Sequence, residues 1–349
     1  MQTDYIIIGQ GLCGSWLSYY LQAAGARVLV IDKGLSKSAS SAASGVINPV
    51  TGKRLARQWM GDVMLPFATA AYNDMGARLH RSVASIISIK NFFSTAEEAA
   101  FFEAKALAAG DELLSTGGAD AQFNYHYGIG AIHPALLVDV PAFLQGWRAQ
   151  LMAAKALLEA DWDWDDCRFE MDGVRYNDIR ATAVIDCGGA ASAFNPFFTK
   201  LPFALNKGEA LIAHIPGLPR HTVYKHSALS IVPWGDGDDF WIGSTFDWDF
   251  KDVLPTAAFR LKAEGILRSW LRLPFDIREH FAAIRPATIT RDAFSGLHPH
   301  QPRLGILNGT GAKGCSLAPF LAHNLAGHLV HGSPLLPAAD PGRYKRVLA

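Results

Sequence analysis

Apolar and polar positions along this chain fall into blocks whose period changes from place to place. "DYIII" is an apolar run short enough for one buried strand. The block "LCGSWLSYYLQAAG" spaces its large apolar residues at helical intervals and stops at Gly25, a residue suited to the turn past a helix C-terminus. "ARVLVID" returns to an apolar run and closes on Asp32. Further along, "VASIISIKNFFS" predicts a strand, and Ser94-x-x-Glu97 predicts a capping box for the helix "TAEEAAFFEAKALAAG". "PAFLQGWRAQLMAA" is helical. "LLEADWDWDDCRFEMDGVRYNDIRATAVIDC" predicts strands around an Asp172-Gly173 turn, with Trp162 and Trp164 on one face of a strand. "ALIAHIPGL", "HSALSIVPW" and "DDFWIGSTFDW" add strands of a second sheet. "RLGILN" is another strand, and "CSLAPFLAHNLAGHLVHG" a last helix with Pro319 in its first turn.

Composition narrows the class. Half of the 349 residues are hydrophobic and 18% are charged, which fits a large folded chain with one or two interleaved domains and argues against disorder. Lys plus Arg equals Asp plus Glu at 32 each, so no basic footprint favours nucleic acid or an anionic membrane. Four separated cysteines, without a C-x-x-C pair, suit a reducing compartment rather than a disulfide or zinc scaffold. No signal-peptide pattern and no apolar run of spanning length stand out, and a cytoplasmic location is expected. The histidines form no convincing metal set, and no Gly-x-Ser-x-Gly elbow is present.

The first block carries the chemistry. "GQGLCG", Gly9 to Gly14, matches Gly-x-Gly-x-x-Gly between a strand and a helix, and Asp32 ends the next strand. In such a unit Gly9 permits the tight turn, Gly11 lets the backbone approach a diphosphate, and Gly14 lets the helix pack on the strand. The free N–H groups of the helix start face the phosphates, and the acid accepts from ribose hydroxyls. The loop "KGLSKSASSAASGVINPVTGKR" can lie along a cofactor or act as a linker; "GVINPVTGK" lacks the spacing of a P-loop ending in Lys53. A second match, "GTGAKG" from Gly309 to Gly314, follows a strand and opens a helix, but "SPLLPAADPGRYKRVLA" supplies no further strand. The two turns therefore suggest one extended cofactor held at both ends. A flavin fits, because its reduced ring is anionic at one edge.

These pieces in this order resemble the D-amino acid oxidase-like family of FAD-dependent oxidoreductases, which includes glycine oxidase and monomeric sarcosine oxidase. The resemblance runs through "IIIGQGLCGSWLSYYL", "VLVIDKG", "SSAASGVINP", "AVIDCGGAAS", "IVPWGDGDDFWIGSTF", "IRPATITRDAFSGLHP" and "GILNGTGAKGCSLAPFLA". It implies an α/β fold: a Rossmann-like FAD-binding domain (1–80, 130–200, 284–349) interleaved with an α+β substrate domain (81–129, 201–283) on a mostly antiparallel sheet. It implies FAD contacts at Gly9, Gly11, Leu12, Cys13, Gly14, Asp32, Lys33, Ser40, Ser41, Gly45, Val46 and Gly188. Gly309, Gly311, Ala312, Lys313, Gly314 and Ser316 match the segment that faces the flavin. Gly188 and Gly189 also read as a simple strand-end turn.

Arg285 matches the arginine that holds the substrate carboxylate in glycine and D-amino acid oxidases, and arginine's planar fork suits that task. An ion pair with a nearby acid is its alternative role. Lys313 matches the lysine facing the sarcosine carboxylate. Arg57, or Arg54, weakly resembles a second carboxylate-binding arginine. Trp241 stands where sarcosine oxidases carry a lysine, and Ala312 where glycine oxidase has arginine. Ala287 stands at the flavin-linking cysteine, so FAD is expected to be non-covalent. The reaction implied is oxidation of a C–N bond of an amino acid or related amine. Oxidation of a 2-hydroxy acid, or a modified RNA base, or use of an acceptor other than oxygen is the alternative, and an electron-transfer subunit without its own substrate is another. Oligomeric state is left open.

Overall fold

A computed structural model describes residues 1–34, 38–52, 54–57, 60–108, 112–227 and 229–349. Lys53, in the rejected P-loop pattern, lies outside the described residues. The α-helices are α1 (Leu12–Ala23), α2 (Gly61–Leu79), α3 (Ala96–Leu107), α4 (Val140–Ala153), α5 (Ala257–Trp270) and α6 (Gly314–His331). None among the described residues is long and apolar enough to cross a membrane. The chain divides into two compact units: 1–43, 141–206 and 284–349, then 44–140 and 207–283. The sections expected at 1–80 and 130–200 are thus cut elsewhere. Val46–Ile47 pairs antiparallel with Leu136 and Leu137, which ties residues after 43 and before 141 to the second unit.

The first unit holds a six-stranded sheet in the order Phe294–His298, Gln301–Asn308, Ala183–Asp186, Tyr5–Ile8, Val28–Ile31, Leu157–Leu158. All neighbours are parallel except the hairpin Phe294–His298 with Gln301–Asn308. "YIII", "VLVI" and "AVID" are buried at every position, as expected of a parallel sheet covered on both faces. Ile6, Leu29, Val184 and Leu304 share one core cluster with Cys167, Val174 and Tyr176 of a small antiparallel sheet. That small sheet is the predicted hairpin around Asp172-Gly173, with Phe169 opposite Val174.

The second unit is a nine-stranded mixed sheet with residues on both faces buried. Leu211, Ile231 and Phe240 face the cluster that includes Phe259, Leu267 and Trp270 of α5. Their chain neighbours Ile212, Val232 and Trp241 face the opposite cluster with Phe102 of α3. Its pairs are antiparallel at Ala84–Phe92 with Ile129–Val138 and through the strands ending at His226, Pro233 and Gly243. Thr222–His226 beside Ala84–Phe92 is parallel.

Three local expectations shift. The capping box sits one residue later: Thr95 Oγ1 accepts from Glu98 N, and the Glu98 carboxylate accepts from Ser94 N, so α3 starts at Ala96. Trp162 and Trp164 do not share a strand, because Asp163 caps a 3₁₀ turn at Trp164–Asp166 and Trp162 stacks on Tyr176. α6 starts at Gly314, which moves Pro319 into its second turn.

Candidate cofactor cradle and substrate-facing residues

The register of the parallel sheet builds the site. Ile8 lies opposite both Ile31 and Asp186, and Asp186 lies opposite Ile306. The strand ends therefore bring Gly9, Asp32, Cys187 and the turn after Asn308 to one edge of the sheet. The chain runs outward from Tyr5–Ile8 to Val28–Ile31 on one side, then returns to Ala183–Asp186 on the other. Such a reversal opens a crevice at the carboxyl ends of the strands.

Each glycine of the first turn is explained by contact. Gly9 has φ +89° and donates to Ile31 O at 2.8 Å; a Cβ there would lie 2.7 Å from Cys187 O. A Cβ on Gly14 would stand 1.9 Å from Gly9 O, so only glycine lets α1 begin this close to the strand end. A Cβ on Gly11 would meet Ser40 Oγ at 2.9 Å, and that oxygen accepts from Leu12 N at 3.0 Å. The helix start has no acid in its first turn and no cap from Gly11 itself. Ser41 is engaged with Ser38 through Oγ and backbone contacts.

The two glycine motifs meet inside this unit. A Cβ on Gly314 would touch Leu12 Cδ1 at 3.0 Å, and the Cys13 thiol hydrogen-bonds to Thr310. Burial pushes that thiol up to about 12. α6, like α1, starts with no side-chain cap and no acid in its first turn. Two helix starts with no acid in their first turns thus converge on one crevice, where their positive ends favour an anion. Lys313 precedes α6, Ser316 Oγ donates to Lys313 O, and Ala312 is exposed.

Asp32 accepts from Gln10 N at Oδ2 and from Gly34 N at Oδ1, both at 2.8 Å. Lys33 points instead to Asp161, at 3.4 Å in an exposed pair. Gly188 donates to Asp186 Oδ1, which also accepts from Ser192 Oγ, while Asp186 Oδ2 accepts from Asn195 Nδ2. Burial raises the Asp186 carboxyl above the usual range, opposed by these donors. Asn308 extends the network: its Nδ2 donates to Ser192 Oγ and Gly189 O, and its Oδ1 accepts from Gly309 N. The turns at Gly188 and Gly309 are therefore joined through one buried set of polar groups.

Arg285 lies on the strand Asp276–Thr288. Two residues on, a Cβ on Gly311 would lie 3.5 Å from Ala287 Cβ, and alternation puts Arg285 on the same strand face as Ala287. Its Nη1 donates to Asn206 Oδ1 at 2.8 Å. Burial pushes the guanidinium down to about 10, which leaves it a cation at neutral pH. Gly45, Val46, Arg54 and Arg57 belong to the second unit. There a Cβ on Gly45 would lie 1.9 Å from Val138 O, Arg57 pairs with exposed Asp62 at 3.2 Å, and Arg54 is exposed. Sequence reasoning overlooked Gln10, Arg148, Asp186 and Asn308; the acid closing "AVID" was the one local signal among them.

Comparison with known proteins supplies the remaining context. A family described as FAD dependent oxidoreductase matches residues 4–327. A curated relative from Maricaulis maris, the "tRNA 5-methylaminomethyl-2-thiouridine biosynthesis bifunctional protein MnmC", is 28% identical over 97% of this chain and 54% of its own. The chain thus spans about half the length of that relative. Among solved structures, glycine oxidase from Bacillus cereus superposes with a TM-score of 0.80 at 16% identity, covering 95% of this chain and 96% of its own. Iminodiacetate oxidase from Chelativorans gives 0.78 at 21%, covering 98% of each. These superpositions establish the fold.

Proposed function

The chain belongs to the FAD dependent oxidoreductase family, and from that premise we propose that it holds one non-covalent FAD and oxidises a C–N bond of an amino acid or related amine. The fit of the group rests on the chain itself. Gly9, Gly11 and Gly14 leave room that a Cβ would fill, two helix starts without an acid in their first turns suit the anionic parts of the cofactor, and Asp32 suits a ribose hydroxyl. When bound, FAD would supply the two-electron oxidation of the substrate's C–N bond.

The remaining tasks fall to the protein. Arg285 grips the substrate carboxylate, with Asn206 orienting its guanidinium without adding a charge; a five-donor fork can donate to both. Lys313 adds positive charge beside the terminal turn. The amine reacts in its neutral form, so turnover rises with pH through the amine pKa in the complex. The oxidised substrate leaves as an imine and is hydrolysed by water.

The observation that supports this reading is the approach of Ala287, two residues along the strand from Arg285, to Gly311 of the terminal glycine turn. Oxidation of glycine, sarcosine, iminodiacetate and D-amino acids is followed by peroxide formation and by anaerobic flavin bleaching, with a dye as second acceptor. Arg285→Met is expected to raise KM for carboxylate substrates about 100-fold, the scale of a lost buried charge pair, and to leave carboxylate-free amines little changed. An equal effect on both classes removes Arg285 from the substrate. A second reading follows the Maricaulis relative: an aminomethyl group carried on a nucleobase. The balanced charge offers such a polyanion little attraction, and turnover of free aminomethyl-uridine against that of amino acids separates the two.

A further inference from the structure

Arg148 belongs to no motif in the sequence, yet it is bonded directly to Asp32. It projects from α4, and its Nη1 donates both to Asp32 Oδ1 at 2.9 Å and to Gln10 Oε1 at 2.8 Å. The side chains of Arg148 and Asp32 are only 12% and 11% exposed. Gln10 is fully buried and is itself fixed, with Nε2 donating to Leu144 O and Ser15 Oγ. Arg148 Nη2 is buried and lies 3.2 Å from Glu159 Oε2 without the alignment of a hydrogen bond. The arginine is held by Asp32 and Gln10 and acts through Asp32, so it is a positioning residue.

The count of lone pairs gives this arrangement a consequence. A carboxylate offers about four acceptor directions. Gly34 N and Arg148 Nη1 take those of Oδ1, and Gln10 N takes one of Oδ2, so a single direction on Oδ2 is left among the described residues. The paired guanidinium also offsets the carboxylate charge, which lowers the repulsion between Asp32 and a diphosphate at the start of α1.

We propose that Arg148 restricts Asp32 to one acceptor site, so that the protein reads one hydroxyl of the cofactor's adenosine ribose and ignores the other. This rests on the reading above that Asp32 faces the ribose of FAD.

Calorimetric titration of the FAD-stripped protein with ADP, 2′-deoxy-ADP and 3′-deoxy-ADP tests it without reference to turnover. In the unmodified protein one deoxy analogue binds roughly tenfold more weakly than ADP, the order of one hydrogen bond to a charged group, and the other binds within about twofold. Arg148→Met frees a direction on Oδ1, weakens ADP binding and spreads the penalty over both analogues. Arg148→Lys, which keeps the charge but has no fork, falls between. Asp32→Asn removes the charge and shrinks the single penalty. Equal penalties in the unmodified protein overturn the inference, as does an Arg148→Met variant that keeps the original selectivity. The comparison in the unmodified protein needs no variant to fold. If the protein binds FAD and ADP but neither deoxy analogue differs, the role of Arg148 falls while FAD binding stands. If neither FAD nor ADP binds, both readings fall together.

Discussion

Asp186 and Asn195 form a buried pair whose exchange has a calculable outcome. Asp186 accepts from Gly188 N at 2.8 Å and from Ser192 Oγ and Asn195 Nδ2 at 2.6 Å each. Asn195 cannot turn over, because its Oδ1 already accepts from Phe197 N at 2.9 Å. Asp186→Asn therefore keeps two contacts and sets one amide donor against another. A buried donor without a partner costs about 1–3 kcal/mol, so two facing donors, partly offset by relief from a buried charge, give a net loss of about 2–4 kcal/mol. Asn195→Asp sets two carboxylates together and loses a similar amount. The double exchange restores a donor facing an acceptor, while the carboxylate introduced at position 195 still receives Phe197 N. It should recover to within about 1 kcal/mol of the unmodified protein. Urea titration gives the four stabilities, and hydrogen exchange at Gly188 and Gly309 reports whether the joined turns loosen. Strictly additive losses in the double variant would show that the two side chains are not in contact.

Two further outcomes follow from the geometry. Gly14→Ala sets a Cβ 1.9 Å from Gly9 O, which forces α1 from the strand end; the melting temperature should drop by several degrees and the purified protein should lose flavin absorbance. Gly25→Ala, with φ +85° but nothing within 4 Å, serves as the control: it should cost about 1 kcal/mol and keep the flavin, and equal flavin loss in both would detach the Gly14 contact from cofactor binding. His298 is lowered below the ordinary histidine range mainly by burial, and its Nδ1 accepts from His300 N and Gln301 N at the hairpin turn. Since its folded pKa lies below the unfolded value of about 6.5, its contribution is present above that pH and is lost as pH falls through the folded pKa. His298→Ala should flatten this acid limb in thermal melts between neutral pH and pH about 5; an unchanged limb would assign it to other groups.

Much of the first unit was legible because its strands are covered on both faces, which writes them as unbroken apolar runs at Tyr5–Ile8, Val28–Ile31 and Ala183–Asp186. The glycine turns were legible for a related reason: a close approach of backbone leaves glycine at fixed spacing. What escaped was long-range. Arg148 reaches Asp32 across 116 positions, and Asn308 reaches Ser192 across the same interval, so neither pair leaves a local pattern. The alternation at Trp162 and Trp164 misled because Asp163 uses its side chain to cap a turn, which a period of two cannot distinguish from a strand. The capping box slipped by one because Ser94 and Thr95 are both competent caps and only the reach of Glu98 decides between them.

The order of strands in the parallel sheet also sets a timetable for synthesis. A growing chain that has passed Ile31 has one side of the crevice, Tyr5–Ile8 beside Val28–Ile31, but the strand Ala183–Asp186 on its other side has yet to leave the ribosome. The turn at Gly309 follows later still. An emerging chain therefore carries its first glycine turn unclosed until the strand Ala183–Asp186 and the Gly309 turn have been made. Chains released early, even after Asp186, would lack the Gly309 turn and its bonds through Asn308 to Ser192.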